Sequence, residues 1–207
     1  MRHLRSSVNR LFKTVKEFVS VSADFYVAAA AGILILPLPW LGAWMLSACV
    51  HELCHYIALK YCGCRVTAIN ISIKGVFMET DGLTVGKEAF CAYAGPVGPL
   101  LLLLFANQIP RTCICIFLQS LYNLLPVFPL DGGRGLGCAL QKVFGEEKGK
   151  RAFRVVELVV LCLLMAVALY AMLNLGLGFL PCLLVISLII KNKKINIPCK
   201  KRPLVLQ

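Results

Sequence analysis

Six long apolar segments, separated by charged or helix-breaking residues, constrain the fold of this chain more than any other feature. They cover residues 22–37, 39–60, 89–106, 112–126, 153–173 and 175–190. Since a transmembrane helix needs about 20 predominantly apolar residues, six such segments occupy more than half of the 207 residues. We therefore predict a single domain, residues 1–207, that is an all-α polytopic membrane protein with about six transmembrane helices.

The composition excludes an ordinary soluble domain. Hydrophobic residues make up 59% of the chain, charged residues make up 15%, and the mean hydropathy is +0.79, whereas soluble domains are about 45–50% apolar. The eleven cysteines are an odd number and lie mostly in apolar segments, so they do not indicate a disulfide framework. We interpret Cys62 and Cys64 as packing residues because no second cysteine pair completes a zinc-ribbon spacing.

The net charge of +12 is distributed unevenly along the chain. With the N-terminus in the cytoplasm, the inner segments contain five, four, six and six Lys and Arg residues, and the outer loops contain only Arg111. This distribution matches the positive-inside rule, so it predicts cytoplasmic termini and explains the charge without nucleic acid. The inner segments are a basic amphipathic N-terminal segment 1–21, then 60–88, 127–154 and a basic tail 191–207.

The inner segment from Val66 to Val85 has a pattern that is typical of strands. Isoleucines at 69, 71 and 73 alternate with polar residues, and Asp81-Gly82 is a turn signal before a second short apolar run. The pattern predicts a small β-hairpin or sheet at the cytoplasmic face.

His51-Glu52-Leu53-Cys54-His55 forms an H-E-x-x-H motif inside the apolar segment 39–60. On a helix, His51 and His55 share one face and can bind one zinc ion, with Glu52 beside the bound water. Ionisable groups are costly inside an apolar span, which favours a functional site. The alternative is a polar cluster that holds helices together.

A catalytic zinc usually takes three protein ligands and keeps one position for water. His3, the one remaining histidine, lies on the N-terminal tail, and the carboxylates Asp24 and Glu157 lie at span ends. Asp131 differs because two prolines precede it, and the two glycines that follow it in the sequence NLLPVFPLDGGR, residues 123–134, let the backbone turn sharply. Asp131 is therefore our candidate third ligand for one zinc per chain, and the alternative is that it caps the following helix.

These motifs resemble those of the site-2 protease family of intramembrane zinc metalloproteases. The H-E-x-x-H motif, Gly95-Pro96 and the segment 123–134 occur in the family's order across a catalytic core at 39–136. The resemblance implies that His51, His55 and Asp131 bind zinc, that Glu52 is the general base, and that Asn123 helps to hold the substrate or the transition state.

The short chain is most similar to the bacterial sporulation branch of that family. That resemblance implies a location in the bacterial cytoplasmic membrane, regulatory membrane proteins as partners, and a membrane-tethered sigma-factor precursor as substrate. The chain departs from the family at Pro99, where G-P-x-x-N would place Asn, and at Cys54, where many relatives have Gly.

Two other classes of protein are alternatives. A proteolytically inactive membrane adaptor would keep the fold and lose the ligands, but all the motif residues are present. A metal or small-solute transporter would place polar residues along several spans, whereas 153–173 and 175–190 contain few.

Overall fold

The computed structural model describes residues 19–72, 75–80, 82–176 and 178–193. The predicted amphipathic segment up to residue 18 and the basic tail from residue 194 lie outside these ranges. The described elements, in chain order, are β1 Val19–Val21, α1 Ala23–Ile35, α2 Leu38–Tyr61, β2 Val66–Ser72, β3 Gly75–Thr80, α3 Val85–Val97, a 3₁₀ helix Gly98–Phe105, α4 Pro110–Asn123, α5 Asp131–Phe144, α6 Glu146–Asn174 and α7 Leu180–Lys193.

The fold is mostly helical, and each predicted apolar segment overlaps a helix. Two continuous helical segments of the described chain, Val85–Phe105 and Glu146–Asn174, are long and apolar enough to cross a membrane. Helices α1, α4 and α7 have 13 or 14 residues, which is about 20 Å at 1.5 Å per residue and less than a hydrocarbon core of about 30 Å. Helix α2 has 24 residues but carries polar His51, Glu52 and His55. Six full spans are therefore not confirmed.

The predicted sheet is present, with one more strand than the hairpin requires. Strands β2 and β3 are antiparallel, and β1 pairs in parallel with β2, with Val19 opposite Ile69. Residues 19–21, at the end of the predicted amphipathic segment 1–21, form this extra strand, where pairing with β2 satisfies the backbone of an extended segment.

The turn of the hairpin lies earlier than predicted. Ser72 pairs with Gly75, so the two antiparallel strands are connected between these residues. Gly75 has φ of +123°, which glycine adopts at little steric cost. The predicted second strand after Gly82 is instead the start of a helix, since Val85 is the first residue of α3.

Helix α3 brings the two candidate motifs together. It packs against both α2 and α5, and α5 in turn packs against α6. At Gly98 the helix tightens into the 3₁₀ segment that contains Pro99, where proline removes one backbone donor. The sheet covers the cytoplasmic end predicted for α2, where Leu59, Met78 and Cys91 form a buried cluster.

Candidate metal centre

The two histidines of the H-E-x-x-H motif lie on the buried face of α2. His51 is 3% exposed and His55 is fully buried, and the atoms Nε2 of the two rings are 3.2 Å apart. This arrangement follows from the helix period, because residues four positions apart lie above one another on one face. The predicted pair of imidazoles is therefore formed by α2 alone.

Asp131 reaches the same point from another element. It is the first residue of α5 and is 2% exposed, and its Oδ2 lies 3.0 Å from Nε2 of His51 and 3.2 Å from Nε2 of His55. Burial raises the pKa of the Asp131 carboxyl, but hydrogen bonds from the two histidines outweigh burial and lower the pKa to about 2. Leu130 occupies the N-cap position of α5, so Asp131 is not the N-cap residue that the alternative interpretation required.

The three facing atoms have the dimensions of a tetrahedral zinc site. Zinc–nitrogen and zinc–oxygen bonds of about 2.0–2.1 Å give edges of about 3.3 Å between ligand atoms in a tetrahedron, and the three edges here are 3.0, 3.2 and 3.2 Å. Of the residues that the structure describes, His51, His55 and Asp131 are the group of three potential ligands that approach one another this closely. Two imidazoles and one carboxylate are a donor set typical of catalytic zinc, which keeps its fourth position for water.

Several buried polar atoms around this triangle have no hydrogen-bond partner in the described part of the chain. They are Nδ1 of His51, Oδ1 of Asp131 and Oε2 of Glu52. Burying such atoms without partners is costly. A hydrated cation held by the two Nε2 atoms and by Asp131 would provide partners for the carboxylate oxygens, whereas Nδ1 of His51 is the ring atom that does not face the triangle. The residues therefore fit a zinc ion that keeps water beside Glu52.

The orientation of His55 depends on a contact that sequence reasoning missed. Nδ1 of His55 lies 2.8 Å from the carbonyl oxygen of Cys91 in α3. When a metal ion is bound, an N–H donated there would leave the lone pair of Nε2 for the metal, and such outer contacts fix the tautomer of zinc-binding histidines. No side chain of the sequence could indicate this acceptor because it is a backbone carbonyl.

Gly95 explains why the Gly-Pro segment lies beside the motif. A Cβ atom at Gly95 would lie 2.1 Å from Nε2 of His55, so only glycine leaves room for the ring. Gly95-Pro96 lies inside α3 and not at its start. Its contribution to the site is the space that Gly95 leaves for the His55 ring.

The glycines after Asp131 also differ from the sequence interpretation, which used them for a sharp turn. Gly132 and Gly133 are helical residues of α5. Cβ atoms there would lie 2.2 Å from the carbonyl oxygen of Leu124 and 2.4 Å from the carbonyl carbon of Val127. They allow α5 to pack against residues 124–130, which we call the Asp131 loop.

Asn123 is the last residue of α4 and is partly buried immediately before the Asp131 loop. Its proposed role in holding the substrate or the transition state stays a prediction.

Comparison with known proteins agrees with the geometry of the site. No protein-family model matches the sequence. The chain is similar to Rip3 of Mycobacterium tuberculosis, whose name assigns it to the zinc metalloproteases, with 32% identity over 148 residues in two strains. The match covers 59% of this chain and 38% of Rip3, so the chain spans about two fifths of that relative.

The fold is that of a site-2 protease. The structure of the site-2 protease from Methanocaldococcus jannaschii superposes with a TM-score of 0.55, at 19% sequence identity, over 89% of this chain and 94% of the other. At this identity the likeness establishes the architecture, and the chemistry is argued from the residues of this chain.

Proposed function

We propose that this chain is a zinc metalloendopeptidase of the site-2 protease type that cleaves a membrane-associated protein within or near the cytoplasmic leaflet. The observation that carries the proposal is the triangle of His51, His55 and Asp131, with edges of 3.0 to 3.2 Å, next to the unpartnered Oε2 of Glu52. The similarity to Rip3 and the shared fold support it.

The residues divide the chemistry between them. When bound, zinc supplies a Lewis acid that polarises a peptide carbonyl and acidifies water. His51, His55 and Asp131 would hold it, and the contact between His55 and the Cys91 carbonyl keeps Nε2 of His55 available. Glu52 accepts the proton of the attacking water and then donates it to the leaving amine.

The substrate is a segment that can leave its helical state, because a helix keeps its own carbonyls hydrogen-bonded. In the described part of the chain, β3 pairs with β2 on one edge and with no strand on the other. An extended peptide could pair with that free edge by β-addition. A membrane-tethered sigma-factor precursor is one substrate of this kind, and membrane proteins that control access to the site are the corresponding regulators.

We place the protein in a bacterial cytoplasmic membrane with both termini and the sheet on the cytoplasmic side. The positive-inside distribution and the two apolar helical segments Val85–Phe105 and Glu146–Asn174 support this placement. Reporter fusions at Lys60 and Lys191 should remain cytoplasmic, and exported reporters at these positions would contradict the orientation.

The decisive experiment is Glu52→Gln with co-expressed single-span candidate substrates. Glutamine keeps the size of the side chain but cannot accept the proton, so we expect bound zinc to be retained and cleavage to fall by about 10²- to 10⁴-fold. Glu147→Gln is the matched control because Glu147 is exposed on α6. Wild-type cleavage by Glu52→Gln would reject the mechanism, and an adaptor would function equally well with either variant.

A further inference from the structure

Glu157 is a buried carboxylate that the proposed chemistry does not use. It lies in α6, the longest described helix, and is 6% exposed. Carboxyl groups inside apolar helices are costly and are usually kept for a defined partner. The contact that this side chain makes therefore indicates why the helix contains it.

The partner of Glu157 is the backbone of the Asp131 loop. Oε1 of Glu157 accepts a hydrogen bond of 2.7 Å from the backbone N–H of Phe128. Both prolines of the loop lack an N–H, and the N–H groups of Val127 and Leu130 bond to carbonyls within the loop. The Phe128 N–H therefore needs an acceptor from outside the loop, because a buried backbone donor without one is costly.

The packing around Glu157 brings it to this donor. Phe153, Glu157 and Leu161 follow one another at four-residue spacing on the buried face of α6. Leu161 packs in one cluster with Val127 of the loop, and Phe153 lies against the position of Gly137 in α5. Glu157 thus lies between two apolar contacts, one to each side of Asp131 along the chain.

We propose that Glu157 is a positioning residue for the metal centre and fixes Asp131 by anchoring the loop that leads into α5. Phe128 lies three residues before Asp131, so a shift of its peptide plane is transmitted to the ligand. The inference rests on the proposed metal site and not on proteolysis. Outer contacts of this kind typically change metal affinity by 10- to 100-fold.

The test measures metal affinity in the full chain, purified in detergent and stripped with a chelator. Zn²⁺ is titrated against a chromophoric competitor, and Co²⁺ absorption reports the ligand geometry. Glu157→Leu removes the acceptor and should weaken Zn²⁺ binding by 10- to 100-fold, with an altered Co²⁺ spectrum. Glu157→Gln keeps a carbonyl oxygen at the same reach and should bind Zn²⁺ within a few-fold of wild type.

Phe153→Leu is the matched control, because it leaves a cavity on the same face of α6 and spares the hydrogen bond to Phe128. It should lower stability and keep metal affinity. Equal affinity loss in Phe153→Leu and Glu157→Leu, or wild-type affinity in Glu157→Leu, would overturn the proposal. If Glu157→Leu does not fold, Glu157→Asp replaces it, and weaker binding by Asp than by Gln supports the proposal while the reverse order rejects it.

These outcomes are distinguishable from failure of the proposed function. A protein that binds zinc with the expected order of variants but cleaves no substrate would reject the protease and keep the role of Glu157. A wild-type chain that binds no zinc would reject both.

Discussion

The two halves of the metal centre are built in different ways. The α2 half contains His51 and His55, whose alignment needs one turn of a single helix. The α5 half contains Asp131, whose position depends on a loop, on the packing of α5 against α3 and α6, and on Glu157. The ligand atom of the α5 half nevertheless lies only 3.0 and 3.2 Å from the two ligand atoms of the α2 half.

This difference separates what a short motif can specify from what the whole fold must supply. The distance between two ligands on one helix is preserved when the surrounding helices move slightly. The position of a ligand that is held through several elements changes when any one of those elements moves. The following predictions probe the two halves in decreasing order of expected effect.

The largest effect is expected when either half loses its ligand. His51→Ala and Asp131→Ala each leave two of three protein ligands, so both purified variants should lack bound zinc, a greater loss than the 10- to 100-fold for an outer contact. Metal analysis by mass spectrometry measures the occupancy, with Glu147→Ala as the exposed carboxylate control. Full zinc occupancy in Asp131→Ala would remove Asp131 from the site and with it the contrast between the halves.

The sequence predicted more of the α2 half than of the α5 half. Because H-E-x-x-H encodes its geometry in four-residue spacing, His51 and His55 could be paired without a structure. Asp131 could be selected from its unusual neighbours, but its distance to the histidines depends on how α3 places α2 beside α5. The acceptor for His55 could not be predicted, since it is the Cys91 carbonyl.

The sheet, too, could be predicted only in part from the sequence. Alternating isoleucines identified β2, yet the pairing of β1 depends on contacts between residues 50 positions apart, such as Val19 with Ile69. Glu157 appeared in the sequence as one more carboxylate at a span end. Its role depends on the Phe128 N–H, which lies 29 positions away in the chain.

A smaller effect is expected from Gly95→Ala, which crowds the α2 half without removing a ligand. The new methyl group would lie 2.1 Å from Nε2 of His55, so the ring must move away from the Cys91 carbonyl. We expect zinc affinity to fall by about 10- to 100-fold, as for loss of an outer contact. Gly42→Ala on α2 is the control, because a methyl group there meets no atom within 4 Å. Equal zinc affinity in the two variants would show that the ring has space to move.

The smallest effect is expected from Gly132→Ala, which crowds the α5 half away from the ligand atoms. Its methyl group would lie 2.2 Å from the Leu124 carbonyl oxygen, a backbone atom that cannot rotate aside. Overpacking of this kind typically costs about 1–3 kcal/mol, so the thermal midpoint of the metal-free protein should fall. The clash is with the loop and not with a ligand atom, so we expect zinc affinity to fall by less than in Gly95→Ala.

Gly137→Ala separates crowding of the loop from a general effect of alanine in α5. A methyl group at Gly137 would lie 3.8 Å from the Phe153 ring, an ordinary contact, and replacing a helical glycine by alanine contributes about 1 kcal/mol of helix stability.

Gly132→Ala should also be non-additive with Glu157→Leu, because both act on the Asp131 loop and neighbouring sites couple by about 0.5–3 kcal/mol. Strict additivity of their unfolding free energies would mean that the loop does not transmit strain, and Asp131 would then be placed by helix packing alone.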